Sequence, residues 1–128
     1  MDSKDRAFRN RTFLSSFKAA LSGIISASKH ERNFQFHLVS AAIVTTLGFL
    51  FSITWIEWLF VCSAIFGVLI LELINSSIER AVDLVTKEYH ELAKAAKDMA
   101  SGAVFLFAVY AVIVGIIVFI PKIWNILS

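Results

Sequence analysis

Three long stretches without a charged residue constrain this chain more than any other feature. Residues 33–56, 58–71 and 99–121 contain no Asp, Glu, Lys or Arg. A helix needs about 20 mainly apolar residues to cross the hydrocarbon core of a bilayer. Since 58% of the 128 residues are also hydrophobic, the sequence predicts an all-α integral membrane protein. It is predicted to form one domain over residues 1–128, with transmembrane helices near 34–52, 55–78 and 99–121.

The basic residues predict which side of the membrane each loop faces. Lys and Arg are concentrated before the first span and between the second and third, whereas the C-terminal tail has only Lys122. The positive-inside rule therefore places the N-terminus and the second loop in the cytoplasm and the C-terminus outside. Trp55, Trp58 and Trp124 then fall at the outer interface, where aromatic residues are enriched. A net charge of +2 is too small to indicate a nucleic-acid partner.

The segment before the first span has an amphipathic pattern and predicts a surface helix near residues 10–30. Its apolar residues recur at helical spacing: Phe13, Leu14, Phe17, Ala20, Leu21, Ile24 and Ile25. Such a helix lies in the interface with its apolar face toward the acyl chains. It is either a membrane anchor or a wall for a site at the membrane surface.

A polar stripe marks the end of the second span. Its members are Glu72, Asn75, Ser76, Glu79 and Asp83. They are spaced so that they share one face of a helix. Carboxylates at membrane depth are costly unless they meet a cationic partner. A nucleotide chelated to Mg²⁺ is one such ligand.

A second stripe lies where the third span begins, at Lys94, Lys97, Asp98 and Ser101. Glu31 occupies the corresponding end of the first span. Membrane anchoring needs only Lys and Arg at this depth, so it does not explain the carboxylates and the amide. Solvated helix ends and snorkelling lysines remain the simpler interpretation of each residue taken alone.

These residue types suit phosphoryl transfer. Mg²⁺ binds one or two protein carboxylates together with substrate phosphates, and Glu31 and Glu79 could supply them. The reaction also needs a positive charge next to the phosphates and a group that orients or deprotonates the acceptor. Lys97 could supply the charge and Glu72 could be that group. The five glycines are dispersed, so no glycine-rich phosphate loop is present. An ATP site would therefore be built from side chains on helices.

Two segments, ELINSSIERAVD at 72–83 and EYHELAKAAKDMASGAV at 88–104, strongly resemble the prokaryotic diacylglycerol kinase family of small integral-membrane lipid kinases. The family motifs are matched at Glu72, Asn75, Ser76, Ile78, Glu79, Val82 and Asp83, and then at Ala96, Lys97, Asp98, Ala100 and Ser101. The ERNFQFH segment at 31–37 and the IPK at 120–122 are most similar to the Gram-positive branch, which contains undecaprenol kinases.

The resemblance implies a homotrimer in a bacterial cell membrane that uses ATP and Mg²⁺ to phosphorylate undecaprenol or, alternatively, diacylglycerol. It implies that Glu72 is catalytic and that Glu31 and Glu79 bind metal. Nucleotide-binding positions would be Glu79, Glu88, Tyr89, His90, Lys97 and Asp98. Other site-lining positions would be Asn75, Asp83, Ser101, Phe34 and Gln35. The surface helix matches less well, and Arg11 or Lys18 would replace a missing basic residue, with Arg11 assigned to the nucleotide.

The resemblance also implies active sites shared between subunits. We expect Glu31 and Glu72 to serve one site from different chains, with small residues such as Ala64 and Gly67 at helix contacts. Two other function classes compete. A small transporter would need a polar path through the bilayer, whereas the outer halves of the spans are apolar. A non-enzymatic assembly factor would need no stripe of Lys, Asp and Ser.

Overall fold

A computed structural model describes residues 2–4 and 12–128, and within them the chain is helical. The helices are α1 (Phe13–His30), α2 (Arg32–Leu50), α3 (Trp55–Val85) and α4 (Glu91–Leu127). Helices α2, α3 and α4 are long and apolar enough to cross a membrane. The prediction of an all-helical chain with three long apolar helices is therefore confirmed.

Helices α3 and α4 extend past the apolar runs that predicted them, whereas α2 ends at Leu50, within its run. Helix α3 continues to Val85 and α4 already begins at Glu91, so both polar stripes are helical. Helix α4 also continues through Pro121 to Leu127, although the predicted span ended at that proline. A proline inside a helix removes one backbone donor.

A single residue separates α1 from α2. Glu31 has extended backbone angles, with φ −101° and ψ 109°, between two helices that end and begin on either side of it. The side-chain amide of Gln35 donates to the carbonyl oxygens of Ser28 and Lys29, each at 3.1 Å. These bonds satisfy carbonyls that α1 leaves open at its C-terminus. They also hold the Glu31 corner in place.

The opposite end of α2 is closed by a tight turn. Ser52 has a left-handed conformation with φ 50°. The Ser52 N–H donates to Phe49 O at 3.2 Å and the Ile53 N–H donates to Gly48 O at 3.1 Å, which is the bond pattern of a Schellman cap. Thr54 and Glu57 then form a reciprocal capping box at the start of α3.

Helix α3 lies at the centre of the chain and packs against the other three helices. A buried apolar cluster joins the turn before α3 to α3 and α4: Ile53, Val61, Ala64, Val114, Val118 and Phe119. Gly67 lies so close to the Phe107 ring that no Cβ would fit without movement of that ring. Ala64 and Gly67, which the sequence suggested for contacts between subunits, pack within one chain here.

Candidate active site

The predicted catalytic and metal-binding carboxylates line one small cavity of about 130 Å³. Its walls are formed by Glu31, Arg32, Asn33, Glu72, Asn75, Ser76 and Glu79, and we call it the carboxylate cavity. Helix α3 contributes one continuous face of it, and the Glu31 corner contributes the other side. Glu72, Asn75 and Ser76 are buried, with exposed fractions of 4%, 6% and 8%. These three residues of the stripe therefore face protein, whereas Asp83 at its end is exposed.

Glu31 and Glu72 line this cavity from the same chain. Within the single chain the two carboxylates already lie together, which does not support the expectation that they serve one site from different subunits. The one-residue break between α1 and α2 explains this placement, because it turns Glu31 back toward α3.

The donor atoms of the cavity fit Mg²⁺, which prefers hard oxygen ligands. Glu31 and Glu79 offer carboxylates. The side-chain Oδ1 of Asn75 is buried and has no hydrogen-bond partner within the part of the chain that the structure describes. A buried oxygen without a partner is costly, and a cation would satisfy it. No group of three or more His, Cys, Asp or Glu residues among residues 2–4 and 12–128 could hold a metal alone, so substrate phosphates would complete the coordination.

Arg80 is a site residue that the sequence analysis overlooked. Its guanidinium donates to Glu31 Oε1 at 2.6 Å, which is a charge-assisted hydrogen bond. The Arg80 side chain is 61% exposed, whereas that of Glu31 is 26% exposed. A basic residue within the acidic stripe was the available signal, but it was counted only toward membrane topology.

His37 is the second overlooked residue. Its Nε2 lies 3.6 Å from Glu72 Oε1. The sequence analysis assigned His37 no role at the site. Helix α2 places His37 opposite the stripe, and helical spacing within α3 alone could not indicate this contact.

A second cavity, of about 360 Å³, brings together most of the predicted nucleotide-binding residues. We call it the loop cavity, and its walls include Val82, Thr86, Lys87, Glu88, Tyr89, His90, Ala93, Lys94, Lys97 and Asp98. The loop between α3 and α4 forms one side and the first turns of α4 form the other. It shares no lining residue with the carboxylate cavity.

Ion pairs organise the basic residues of the loop cavity. Lys97 on α4 donates to Asp83 Oδ1 on α3 at 2.7 Å. Lys94 is bonded to Asp98, one turn along the same helix. His90 caps α4, because its Nδ1 accepts a hydrogen bond from the Leu92 N–H at 3.1 Å. The Nε2 side of that ring is left for other contacts.

Five predicted site residues lie elsewhere or outside the described chain. Asp83 lines neither cavity but forms an ion pair with Lys97. Phe34 is buried with an exposed fraction of 2%, and it lines neither the carboxylate cavity nor the loop cavity. Gln35 is engaged with the end of α1. Ser101 is exposed and also lines neither cavity. Arg11 falls outside the described residues.

Comparison with known proteins identifies the family. The family model described as prokaryotic diacylglycerol kinase matches residues 18–119. This chain belongs to the prokaryotic diacylglycerol kinase family. The match covers α2 and α3 completely, together with most of α1 and α4, and it includes both cavities. The resemblance drawn from the two polar motifs is thus confirmed.

The individual relatives are all named as kinases, but their names give two different lipids. The chain is 48% identical to the undecaprenol kinase of Bacillus subtilis (strain 168), over 95% of this chain and 99% of that protein. It is 40% identical to a diacylglycerol kinase of Synechocystis over 89% of this chain and 66% of that protein. It is 39% identical to a diacylglycerol kinase of Haemophilus influenzae over 73% of this chain and 79% of that protein. The prediction of a membrane enzyme of the kinase class is confirmed.

Proposed function

We propose that this protein transfers the γ-phosphate of ATP to the hydroxyl of undecaprenol, giving undecaprenyl phosphate. The observation that carries the proposal is the buried Glu72 carboxylate, which follows a long apolar run on α3 and lines a cavity with Glu31 and Glu79. A carboxylate at the end of an apolar run can contact the hydroxyl of a lipid whose apolar chain stays in the bilayer. Phosphates of a nucleotide can reach the same carboxylate from the aqueous side.

In this proposal Glu72 is the general base. It accepts the proton of the lipid hydroxyl while the hydroxyl oxygen forms a bond to the γ-phosphorus. The bond between that phosphorus and the oxygen bridging to the β-phosphate breaks, and ADP leaves with the electron pair. A well-placed general base typically contributes about 10²–10⁴ to the rate.

Mg²⁺ is the proposed metal, held by Glu31 and Glu79, with the Asn75 amide oxygen as a further donor. When bound, it neutralises charge on the phosphates. The loop cavity is proposed to bind the rest of the nucleotide. Its contributing residues would be Glu88, Tyr89, His90, Lys97 and Asp98, with Asp83 holding Lys97 in place.

Undecaprenol is favoured as the acceptor because the undecaprenol kinase of Bacillus subtilis is 48% identical over almost the whole of both chains. Diacylglycerol is the second candidate, supported by the relatives of that name at 40% and 39% identity. Both lipids present a hydroxyl on a long apolar body. Either hydroxyl would give its proton to Glu72 in the same way, so an assay must distinguish the two lipid acceptors.

We also propose that the N-terminus and the α3–α4 loop are cytoplasmic, the C-terminus is external, and α1 lies on the cytoplasmic surface. Several apolar side chains of α1 are exposed on the single chain: Phe13, Leu14, Phe17, Leu21, Ile24 and Ile25. Such a helix suits an interface between lipid and water. A homotrimer would cover part of the large apolar surface that α2, α3 and α4 expose.

The direct test is a phosphorylation assay on purified protein in mixed micelles with γ-labelled ATP and Mg²⁺. Undecaprenol and a long-chain diacylglycerol are supplied separately at matched concentrations. We expect label in undecaprenyl phosphate, with kcat/KM for undecaprenol exceeding that for diacylglycerol, and none with Glu72→Gln. Higher kcat/KM for diacylglycerol would reassign the acceptor. No lipid labelling with either acceptor would contradict the kinase proposal.

A test of whether active sites are shared between subunits needs two residues from different cavities. We propose that the carboxylate cavity of one subunit works with the first turns of α4 of a neighbour. Co-expression of Glu72→Gln with Asp98→Asn should then restore activity in verified mixed oligomers. The matched control is Glu72→Gln with Glu31→Ala, two residues of one cavity, for which no recovery is expected because every carboxylate cavity then carries one of the two substitutions. Equal inactivity of both pairs would contradict a shared site.

A further inference from the structure

The Glu72 carboxylate has one nitrogen neighbour within ion-pair distance in the described part of the chain. That neighbour is His37 Nε2, at 3.6 Å from Glu72 Oε1. The two side chains are 21% and 5% exposed. A buried carboxylate is costly unless it is paired or hydrogen-bonded, so this contact matters for how Glu72 is held.

The position of the imidazole is set by α2. The ring packs edge-on against Phe36, with ring centroids 5.4 Å apart. It also forms one end of an apolar cavity of about 140 Å³ whose walls include Ser40, Ala41 and Val68. His37 therefore lies between the carboxylate and the apolar interior. This is the side from which the hydroxyl of a membrane lipid would approach.

The distance of 3.6 Å is longer than an established N–H···O bond, which is about 2.7–3.2 Å. Catalytic hydrogen bonds are often long without substrate and tighten when it binds. If Nε2–H donates to Oε1, that oxygen is engaged. The lone pairs of Oε2 then remain to accept the proton of the lipid hydroxyl. The carboxylate then cannot rotate freely between several orientations of similar energy.

We propose that His37 is a positioning residue, whose Nε2–H donates to Glu72 and fixes the orientation in which the carboxylate accepts the lipid hydroxyl proton. This inference rests on the proposed function, because it takes Glu72 as the base. Orientation of a base by a neighbouring hydrogen-bonding group is a known way to raise its effectiveness. The competing explanation is that His37 only fills space where α2 meets α3.

The test uses three substitutions at one position. His37→Gln keeps an N–H donor near the Nε2 position, whereas His37→Asn places its amide too close to the backbone and His37→Leu has no donor. We expect His37→Leu and His37→Asn to lower kcat by about tenfold or more, a part of the 10²–10⁴ typical of general-base catalysis. His37→Gln should stay within about threefold of the parent. KM for ATP should be unchanged in all three.

Ser40→Ala is the matched control, since Ser40 lies one turn further along α2, lines the same apolar cavity and donates its hydroxyl to the Phe36 carbonyl oxygen rather than to Glu72. It should leave kcat within about twofold. A space-filling role predicts instead that Leu, the better match for an apolar wall, equals or exceeds Gln in kcat. That order, or equal kcat in all three variants, would overturn the proposal.

A second measurement does not depend on activity or on Leu being tolerated. Nitrogen NMR of labelled His37 in detergent-solubilised protein should show a proton on Nε2, and Glu72→Gln should shift that signal. An imidazole whose Nε2 carries no proton would overturn the proposal. Lipid labelling by the parent protein and its loss in Glu72→Gln test the proposed function separately. With those two results in place, retained kcat in His37→Leu contradicts only the role of His37.

Discussion

The guanidinium of Arg80 on α3 donates to the carboxylate of Glu31 at 2.6 Å, across the corner that separates α1 from α2. Arg80 thus forms an ion pair with one of the two carboxylates proposed to bind Mg²⁺. A protein cation and a metal ion would compete for the same oxygen atoms. The ion pair also joins the corner between α1 and α2 to α3.

This competition predicts that Arg80→Ala lowers the Mg²⁺ concentration needed for half-maximal activity. The expected change is up to about fivefold, since an ion pair of this exposure is worth at most ~1 kcal/mol. A Mg²⁺ titration at saturating ATP measures it. Arg32→Ala is the control, because Arg32 lines the carboxylate cavity together with Glu31 but forms no ion pair with it. A higher Mg²⁺ requirement in Arg80→Ala would mean that Arg80 assists metal or phosphate binding.

Glu72→Gln should abolish turnover while leaving the protein folded. The substitution keeps the size of the side chain but removes its ability to accept a proton, so kcat should fall by about 10²-fold or more. Steady-state assays with the lipid acceptor give kcat, and size-exclusion chromatography and thermal unfolding monitor the fold. Retention of more than about a tenth of the parent kcat would show that Glu72 does not act as the base.

Glu79→Ala should weaken Mg²⁺ dependence and ATP affinity together, with little change in KM for the lipid. The reason is that a metal bridging protein and phosphates couples the two ligands. Titrations of Mg²⁺ and of ATP, each at saturating lipid, separate the effects. Ser77→Ala serves as the control, since Ser77 also lies on α3 but lines neither cavity and donates its hydroxyl to the Ile74 carbonyl oxygen. A rise confined to the lipid KM would exclude Glu79 from metal binding.

Asn75→Leu should reduce activity without reducing stability. The Oδ1 atom is buried without a partner in the described residues, and an unsatisfied buried polar atom costs about 1–3 kcal/mol. Leu is close in volume and removes that cost, while it also removes a proposed metal donor. Thermal unfolding without Mg²⁺ should show an equal or higher Tm, and ATP affinity in the presence of Mg²⁺ should fall. A lower Tm together with full activity would show that Asn75 is structural.

Ser52→Gly should stabilise the turn between α2 and α3. Ser52 has φ 50°, and a left-handed conformation costs a residue with a Cβ about 1–2 kcal/mol, a cost that glycine avoids. Part of the gain is lost because glycine makes the unfolded chain more flexible. We expect a Tm a few degrees higher (about 1 kcal/mol) with unchanged kcat. Ser128→Gly, at the C-terminal end of α4, is the control and should leave Tm unaltered.

Much of the fold could be predicted because the bilayer imposes simple rules. The runs at 33–56, 58–71 and 99–121 lack charge, and only helices satisfy the backbone of a single span in lipid. The spacing of Glu72, Asn75, Ser76 and Glu79 likewise fixed a shared face, and the structure places all four along one cavity. The helix ends were less predictable, because α3 and α4 continue past the apolar residues into the polar stripes.

The sequence by itself determined which residues belong to each stripe, since the period of a helix depends only on the local backbone. It could not determine what each stripe faces. Glu72 meets His37 of α2, Glu31 meets Arg80 of α3, and Lys97 meets Asp83 rather than Asp98. These pairs depend on the angle at the Glu31 corner and on the packing of α3 against α4. Both are set by long-range contacts, such as that of Phe107 with Gly67, that no local periodicity encodes.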